Sequence, residues 1–307
     1  MNIFSSTINL AIILSIGIMS RKLNVLQKND AKVLSSYVYY FSLPALFITK
    51  ISGLSITKGS SGLIIGSYFP IFIGLILLLL LLAIKAINKT KFILFSLSIA
   101  MGSNAFFGLA FFRFFQDGIH YEKAILTASS LGMLGIILSI ALFEFSRDNS
   151  NLLTALKKLI KNPLIISIFI GLLLFYLGIR GSLIHNALLI LGNTSGPIAI
   201  FTLGLFINDN FSLDLFKRSL PYVLFRLICL PLFLIITVLI FENILQINSA
   251  NQQFLLLQTG IPSAVSLAIF AQRYQYRVKE ITGIVVLTSL FSFVSLSFLY
   301  LLNMLIN

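Results

Sequence analysis

Gly102-Ser103-Asn104-Ala105-Phe106-Phe107-Gly108 interrupts the fourth of a series of long apolar stretches, and Gly260-Ile261-Pro262-Ser263-Ala264-Val265-Ser266 interrupts the ninth. Each places small and polar residues where a lipid-facing helix would otherwise continue. Backbone that leaves the helical hydrogen-bond ladder at membrane depth is tolerated only where protein buries it or where it lines a wet cavity. Two such interruptions at corresponding places in a duplicated chain mark the kind of site at which a carrier holds its substrate.

The rest of the chain says that the solvent is a bilayer. Its 307 residues are 58% hydrophobic and 10% charged, with a mean hydropathy of +1.02. That leaves too few polar side chains to cover a water-soluble globule. A spanning helix needs roughly 20 mostly apolar residues. Ten such stretches are found, at about 2–20, 31–50, 62–84, 92–113, 123–146, 163–179, 184–207, 219–241, 252–272 and 280–303.

The basic residues concentrate in alternate connections. One set holds Arg21, Lys22, Lys28 and Lys32, then Lys85, Lys89 and Lys91, then Arg147, Lys157, Lys158 and Lys161, then Lys217 and Arg218, then Arg273, Arg277 and Lys279. The other set holds only Lys50, Lys58, Arg113, Lys123 and Arg180. Cytoplasmic loops carry the excess of Lys and Arg, so a multi-pass protein of the cell membrane is expected, with both termini on the non-cytoplasmic side. The net charge of +13 then reflects short clusters facing anionic lipid headgroups, and no nucleic-acid partner is expected. Arg21 and Lys22 follow the first apolar stretch, so it is read as a retained span and not as a signal peptide.

Catalytic and metal chemistry find little support. Cys229 is the single cysteine, which excludes an intrachain disulfide and a cysteine-based metal cluster. His120 and His185 are expected in solvated outer loops without partners at ligand spacing. No Ser/His/Asp set, phosphate-cradling glycine loop or dinucleotide fingerprint is present. Neither an enzyme nor a cofactor is expected.

The hydrophilic run Arg147-Asp148-Asn149-Ser150-Asn151, followed by Lys157, Lys158 and Lys161, divides the chain near its midpoint, with five apolar stretches on each side. An odd number inverts the second half relative to the first. Pro44 and Pro197, in stretches two and seven, are separated by nearly the same distance as Gly102 and Gly260, in stretches four and nine, and that distance is about half the chain. The expected fold is an all-α polytopic membrane protein of ten transmembrane helices, arranged as two inverted five-helix repeats with helices four and nine broken and crossing. The repeats are 1–147 and 162–307, joined by a cytoplasmic connector at 148–161. At such a crossing, freed N–H groups and positive half-helix ends favour an anionic group on the substrate.

Several segments resemble the auxin efflux carrier family, in its bacterial malate and malonate permease-like branch. They are Tyr39-Tyr40-Phe41-Ser42-Leu43-Pro44-Ala45-Leu46-Phe47, Ser103-Asn104-Ala105-Phe106-Phe107-Gly108-Leu109, Arg226-Leu227-Ile228-Cys229-Leu230-Pro231, and Ile261-Pro262-Ser263-Ala264-Val265-Ser266 through Ala271-Gln272-Arg273-Tyr274. Their order and spacing carry the likeness over essentially the whole chain. The resemblance implies a scaffold of spans one, two, six and seven, forming a homodimer, and a mobile part of spans three to five and eight to ten that carries the crossing through the bilayer as an elevator. Ala110 and Leu267 stand where relatives often place crossover prolines, so the gap falls to the helix-break residues Gly102, Gly108, Gly260 and Pro262.

Ser103, Asn104, Ser263 and Ser266 are the candidate substrate-binding residues. Asn104 at membrane depth needs partners for its amide, and a helix-packing hydrogen bond is the structural alternative. The serines and glycines could equally serve close helix contact. Arg226 is the one strong charge well inside a span, and three roles are open to it: snorkelling to the interface, a structural ion pair, or attraction of a substrate anion. No Asp or Glu falls clearly in mid-membrane, so the sequence offers no proton relay. Uniport and coupling to an ion held by backbone carbonyls both stay open. The reading is a secondary carrier of a small organic anion, a mono- or dicarboxylate or an auxin-like acid, in contact with membrane lipids. The alternative, a polytopic channel or sensor, would want a continuous polar stripe or a soluble output domain.

Overall fold

The computed structural model describes residues 3–53, 60–113, 118–147, 160–179, 181, 183–207, 212–245 and 249–306. Of the expected connector, residues 148–159 lie outside this set. The described residues are helical nearly throughout. In chain order the helices are α1 (Ile3–Lys22), α2 (Lys28–Tyr37), α3 (Leu43–Ser52), α4 (Ser60–Ala83), α5 (Lys89–Ala100), α6 (Leu109–Arg113), α7 (Gly118–Phe145), α8 (Pro163–Tyr176), α9 (Leu183–Asn193), α10 (Ser195–Ile207), α11 (Leu213–Leu224), α12 (Leu230–Leu245), α13 (Ser249–Thr259), α14 (Val265–Tyr274) and α15 (Val278–Ile306).

Among the described residues, six helical runs are long and apolar enough to cross a bilayer: Asn29–Ser52, Ser61–Ala83, Lys123–Phe145, Leu183–Leu205, Leu213–Ile240 and Val278–Leu302. The chain is therefore an α-helical, multi-pass membrane protein. The other expected stretches fall on α1, on the shorter α8, and on the interrupted pairs α5/α6 and α13/α14.

Local chemistry explains where the helices start and swell. Asn88 and Asn162 accept from the amides of Lys91 and Leu164 at the heads of α5 and α8, and Pro163 occupies the first turn of α8, where its missing N–H costs nothing. Two π-helical turns, Val38–Ser42 and Phe225–Cys229, run straight into the dipeptides Leu43-Pro44 and Leu230-Pro231. A proline ring clashes with the carbonyl four residues earlier. Widening the preceding turn by one residue relieves that clash and lets the rod continue.

The helices pack as two groups. In one, α1 lies along α10 and α3 is held between α8 and α9, with α2 against α10. The contacts in this group reach backbone. A Cβ on Gly17 would sit 2.2 Å from the Phe201 carbonyl oxygen, one on Gly204 2.3 Å from that of Leu14, and one on Gly192 2.8 Å from the Leu46 backbone. In the other group, α12 packs on α4, α11 and α14 pack on α15, and α7 packs on α4, α5 and α6. The groups meet more sparsely, through α1 with α6, α3 and α8 with α7, and α10 with α14 and α15. Arg273 at the end of α14 spans this divide: it bonds the Tyr40 hydroxyl and lies 5.0 Å and 5.2 Å from the ring centres of Tyr39 and Tyr40.

Both histidine expectations are corrected. His120 lies in the first turn of α7 and is only 5% exposed, stacked 6.5 Å from Phe112 and tilted 6.2 Å from Phe254. His185 is half-buried within α9. α7 begins five residues before the apolar stretch at 123, and Phe112 of α6 and Phe254 of α13 close over His120, while His185 falls in the first turn of α9 and not in the loop before it.

Candidate functional site

Met101, Gly102 and Ser103 leave α5 in extended conformation, and Pro262 to Ala264 do the same after a turn at Gly260 and a bend at Ile261 that end α13. Pro262 dictates the second gap, because its ring drives the preceding residue away from the helical region and it has no N–H to donate. The two gaps pair antiparallel, Gly102 opposite Ser263. Ser103 N–H donates to the Pro262 carbonyl at 2.8 Å, and Ala264 N–H donates to the Met101 carbonyl at 2.8 Å. Each gap thus satisfies backbone groups that the other strands at membrane depth.

Side chains finish the stitching. Ser263 is fully buried, and its hydroxyl donates to the Ser98 carbonyl at 2.8 Å while its N–H donates to Thr288 Oγ1 at 3.2 Å. Ser266 Oγ lies 3.6 Å from Met101 Sδ. These two hydroxyls are committed to the crossing. Gly260 ends α13 against Leu296 and Leu299, and Gly108 closes a third π-helical turn, Asn104–Gly108, with its N–H on the Ser103 carbonyl at 2.9 Å. Ala110 and Leu267 lie inside α6 and α14, beyond the gaps.

Arg226 is the residue whose role the sequence left most open. Snorkelling is overturned: the side chain is 3% exposed and turned into the protein. Its Nη1 donates to the carbonyls of Ile99 at 2.8 Å and Ser98 at 3.3 Å, and its Nε and Nη2 donate to that of Ile261 at 3.1 Å and 2.9 Å. Ser98 and Ile99 belong to the last turn of α5, and Ile261 is the carbonyl that Pro262 pushes off the end of α13. The last carbonyls of a helix have no intrahelical donor and sit at its negative end. One guanidinium therefore caps both first half-helices. A signal for this was present in the sequence: a lone cation deep in a span, together with two breaks that must orphan carbonyls.

Two small cavities flank the crossing. On the Arg226 side, about 20 Å³ is enclosed by Gly102, Asn104, Arg226, Gln258, Thr259 and Ser67 among others. Asn104 is 5% exposed, and its Oδ1 makes no hydrogen bond among the described residues. Ser67 Oγ meets Gln258 Oε1 at 2.8 Å, and Gln258 Nε2 donates to Thr127 Oγ1 at 2.6 Å. On the other side, about 30 Å³ lies between Ser103, Phe107, Val265 and Phe293 of the crossing group and Leu14 and Leu203 of α1 and α10. Ser103 and Val265 stand at the beginnings of the two second half-helices. Positive helix ends thus meet on one face of the crossing and negative ends on the face held by Arg226. Of the candidate residues, Ser103, Asn104 and Gly102 line cavities, while Ser263, Ser266, Gly108, Gly260 and Pro262 build the frame between them.

A family profile described as membrane transport protein matches residues 2–300 of the chain. Over 305 residues the chain is also 24% identical to an uncharacterized transporter of Methanocaldococcus jannaschii, across 92% of each protein.

Proposed function

This chain belongs to the membrane transport protein family, that of the auxin efflux carriers, and from that premise we propose that it is a secondary carrier which moves a small organic anion across the cell membrane by an elevator-type alternation. The observation that carries the reading is the opening of both second-half helix starts, at Ser103 and Val265, onto one cavity against α1 and α10. Freed N–H groups and the positive ends of two helix dipoles converge there, which favours a carboxylate. The cavity, at about 30 Å³, has room for one or two waters. A mono- or dicarboxylate of malate or malonate size is admitted only when the crossing group moves away from α1 and α10.

That motion fits the packing. Helices α1 to α3 and α8 to α10 form one tightly packed group, α4 to α7 and α11 to α15 the other, and the contacts between them are sparse. We read the first as a static scaffold, dimeric through its exposed apolar face at Phe169, Leu173 and Ile190, and the second as the moving part. The ten-span arrangement in two inverted repeats, 1–147 and 162–307, is supported by the matching breaks at α5/α6 and α13/α14. The distribution of Lys and Arg supports both termini outside the cytoplasm.

In purified protein reconstituted into liposomes, uptake of labelled malate, malonate, succinate, lactate and indole-acetate identifies the substrate. Ser103→Val, which puts methyl groups in place of the hydroxyl in that cavity and keeps the main-chain bond to Pro262, is expected to reduce that uptake at least tenfold while leaving the amount of folded protein unchanged. Wild-type rates in the variant would place the site elsewhere, and failure of every acid in the panel would reject the organic-anion reading.

A further inference from the structure

We infer that Arg226 is a resident cation, its guanidinium filling the place among the crossing carbonyls that a coupling alkali cation would otherwise take, so that the carrier runs without Na+ or K+ coupling at this crossing. The inference rests on the carrier reading above and adds how its transport is driven.

Carriers with broken helices hold their coupling ions on unwound carbonyls and on half-helix C-terminal ends. Here those groups are the Ser98 and Ile99 oxygens at the end of α5 and the Ile261 oxygen after α13, and all three accept from the one guanidinium. They come from segments far apart in sequence, so they converge on a point and not along one strand. Among the described residues no carboxylate pairs with Arg226. The charge is balanced by carbonyl dipoles, as a bound alkali ion's would be.

The surroundings are fitted to this occupant. A Cβ on Gly102 would lie 2.5 Å from Nη2, so glycine at that position is what lets the guanidinium reach the paired gaps. Ser263 Oγ donates to the same Ser98 oxygen that receives Nη1, which leaves that carbonyl saturated. A planar fork of donors also suits oxygens set on two sides of it better than a point charge would.

The test measures thermal unfolding of the purified protein in NaCl, KCl and choline chloride at equal ionic strength, for wild type, Arg226→Gln and Arg226→Lys. Wild type and Arg226→Lys are expected to show the same midpoint in all three salts. Arg226→Gln is expected to melt several degrees lower in choline and to regain part of that loss, saturably, in Na+ or K+. A saturable Na+ or K+ stabilisation of wild type or of Arg226→Lys overturns the inference. So does a destabilised Arg226→Gln with no cation response, since that is the behaviour of a purely structural clamp. If Arg226→Gln yields folded protein only when it is purified in Na+ or K+, the inference holds; if it yields none in any of the three salts, the inference is overturned. None of these arms needs a substrate, so they stand apart from the transport panel. Where malate or another acid of that panel is carried, its uptake rate should be equal in Na+, K+ and choline media, and a Na+ requirement would overturn the inference without touching the carrier reading.

Discussion

Gly102 is the residue on which the crossing turns. Its missing side chain leaves room for Arg226 Nη2 and Asn104 Nδ2, which would lie 2.5 Å and 2.8 Å from an added Cβ. Gly108, six residues further on, is different: an added Cβ there meets the tip of Ile261 at 2.8 Å, a flexible end that can rotate. Gly102→Ala is therefore expected to cost about 1–3 kcal/mol, the usual range for forced overpacking, and to abolish transport. Gly108→Ala should cost less on both counts. Thermal unfolding and liposome uptake of the two variants side by side check this, and equal effects would contradict it. At this scale the sequence revealed that Ser103 and Asn104 sit at a break, because small and polar residues at membrane depth have few other uses. It left Arg226 ambiguous, because counting turns from the end of a span says how far a side chain must reach for water and nothing of carbonyls that distant segments bring to it.

Among the elements, the interrupted helices were legible from composition alone, but the position of the gaps was not fully so. The family resemblance puts the crossover at Ala110 and Leu267, whereas the chain leaves the helix at Met101–Ser103 and Gly260–Ala264. Pro262 already supplies the break in the second gap, and helix resumes before Leu267. The swollen turns before Leu43-Pro44 and Leu230-Pro231 were not anticipated, although a proline inside an apolar run obliges the ladder to yield somewhere. Between elements, α1 and α10 meet backbone to backbone at Gly17 and Gly204. A methyl at Gly204 would lie 2.3 Å from the Leu14 carbonyl oxygen, and no rotamer change relieves contact with backbone. Gly204→Ala should force the two helices apart and lower stability by about 1–3 kcal/mol, read as a fall in melting temperature and in the yield of folded protein. Melting at the wild-type temperature would show that this contact is not the close one described.

For the whole molecule, the class of protein followed from hydropathy and charge placement, since a bilayer permits few alternatives to helices. The division into two packed groups comes from the family resemblance alone, because it depends on which apolar faces meet, and all such faces look alike in hydropathy. If the groups separate during transport, a covalent tie across them must stop it. Leu14→Cys with Phe293→Cys, in a Cys229→Ser background, places one thiol on each side of the cavity between them. Oxidative cross-linking is expected to halt uptake and reduction to restore it; undiminished uptake in the cross-linked protein would rule out an elevator. The antiparallel pairing of the two gaps has one more consequence. The bonds from Ser103 to Pro262 and from Ala264 to Met101 run between main-chain atoms, so exchanging the side chains that surround the pocket leaves its frame standing. Cargo preference is thereby uncoupled from architecture, and descendants of such a chain are free to change what they carry while keeping how they carry it.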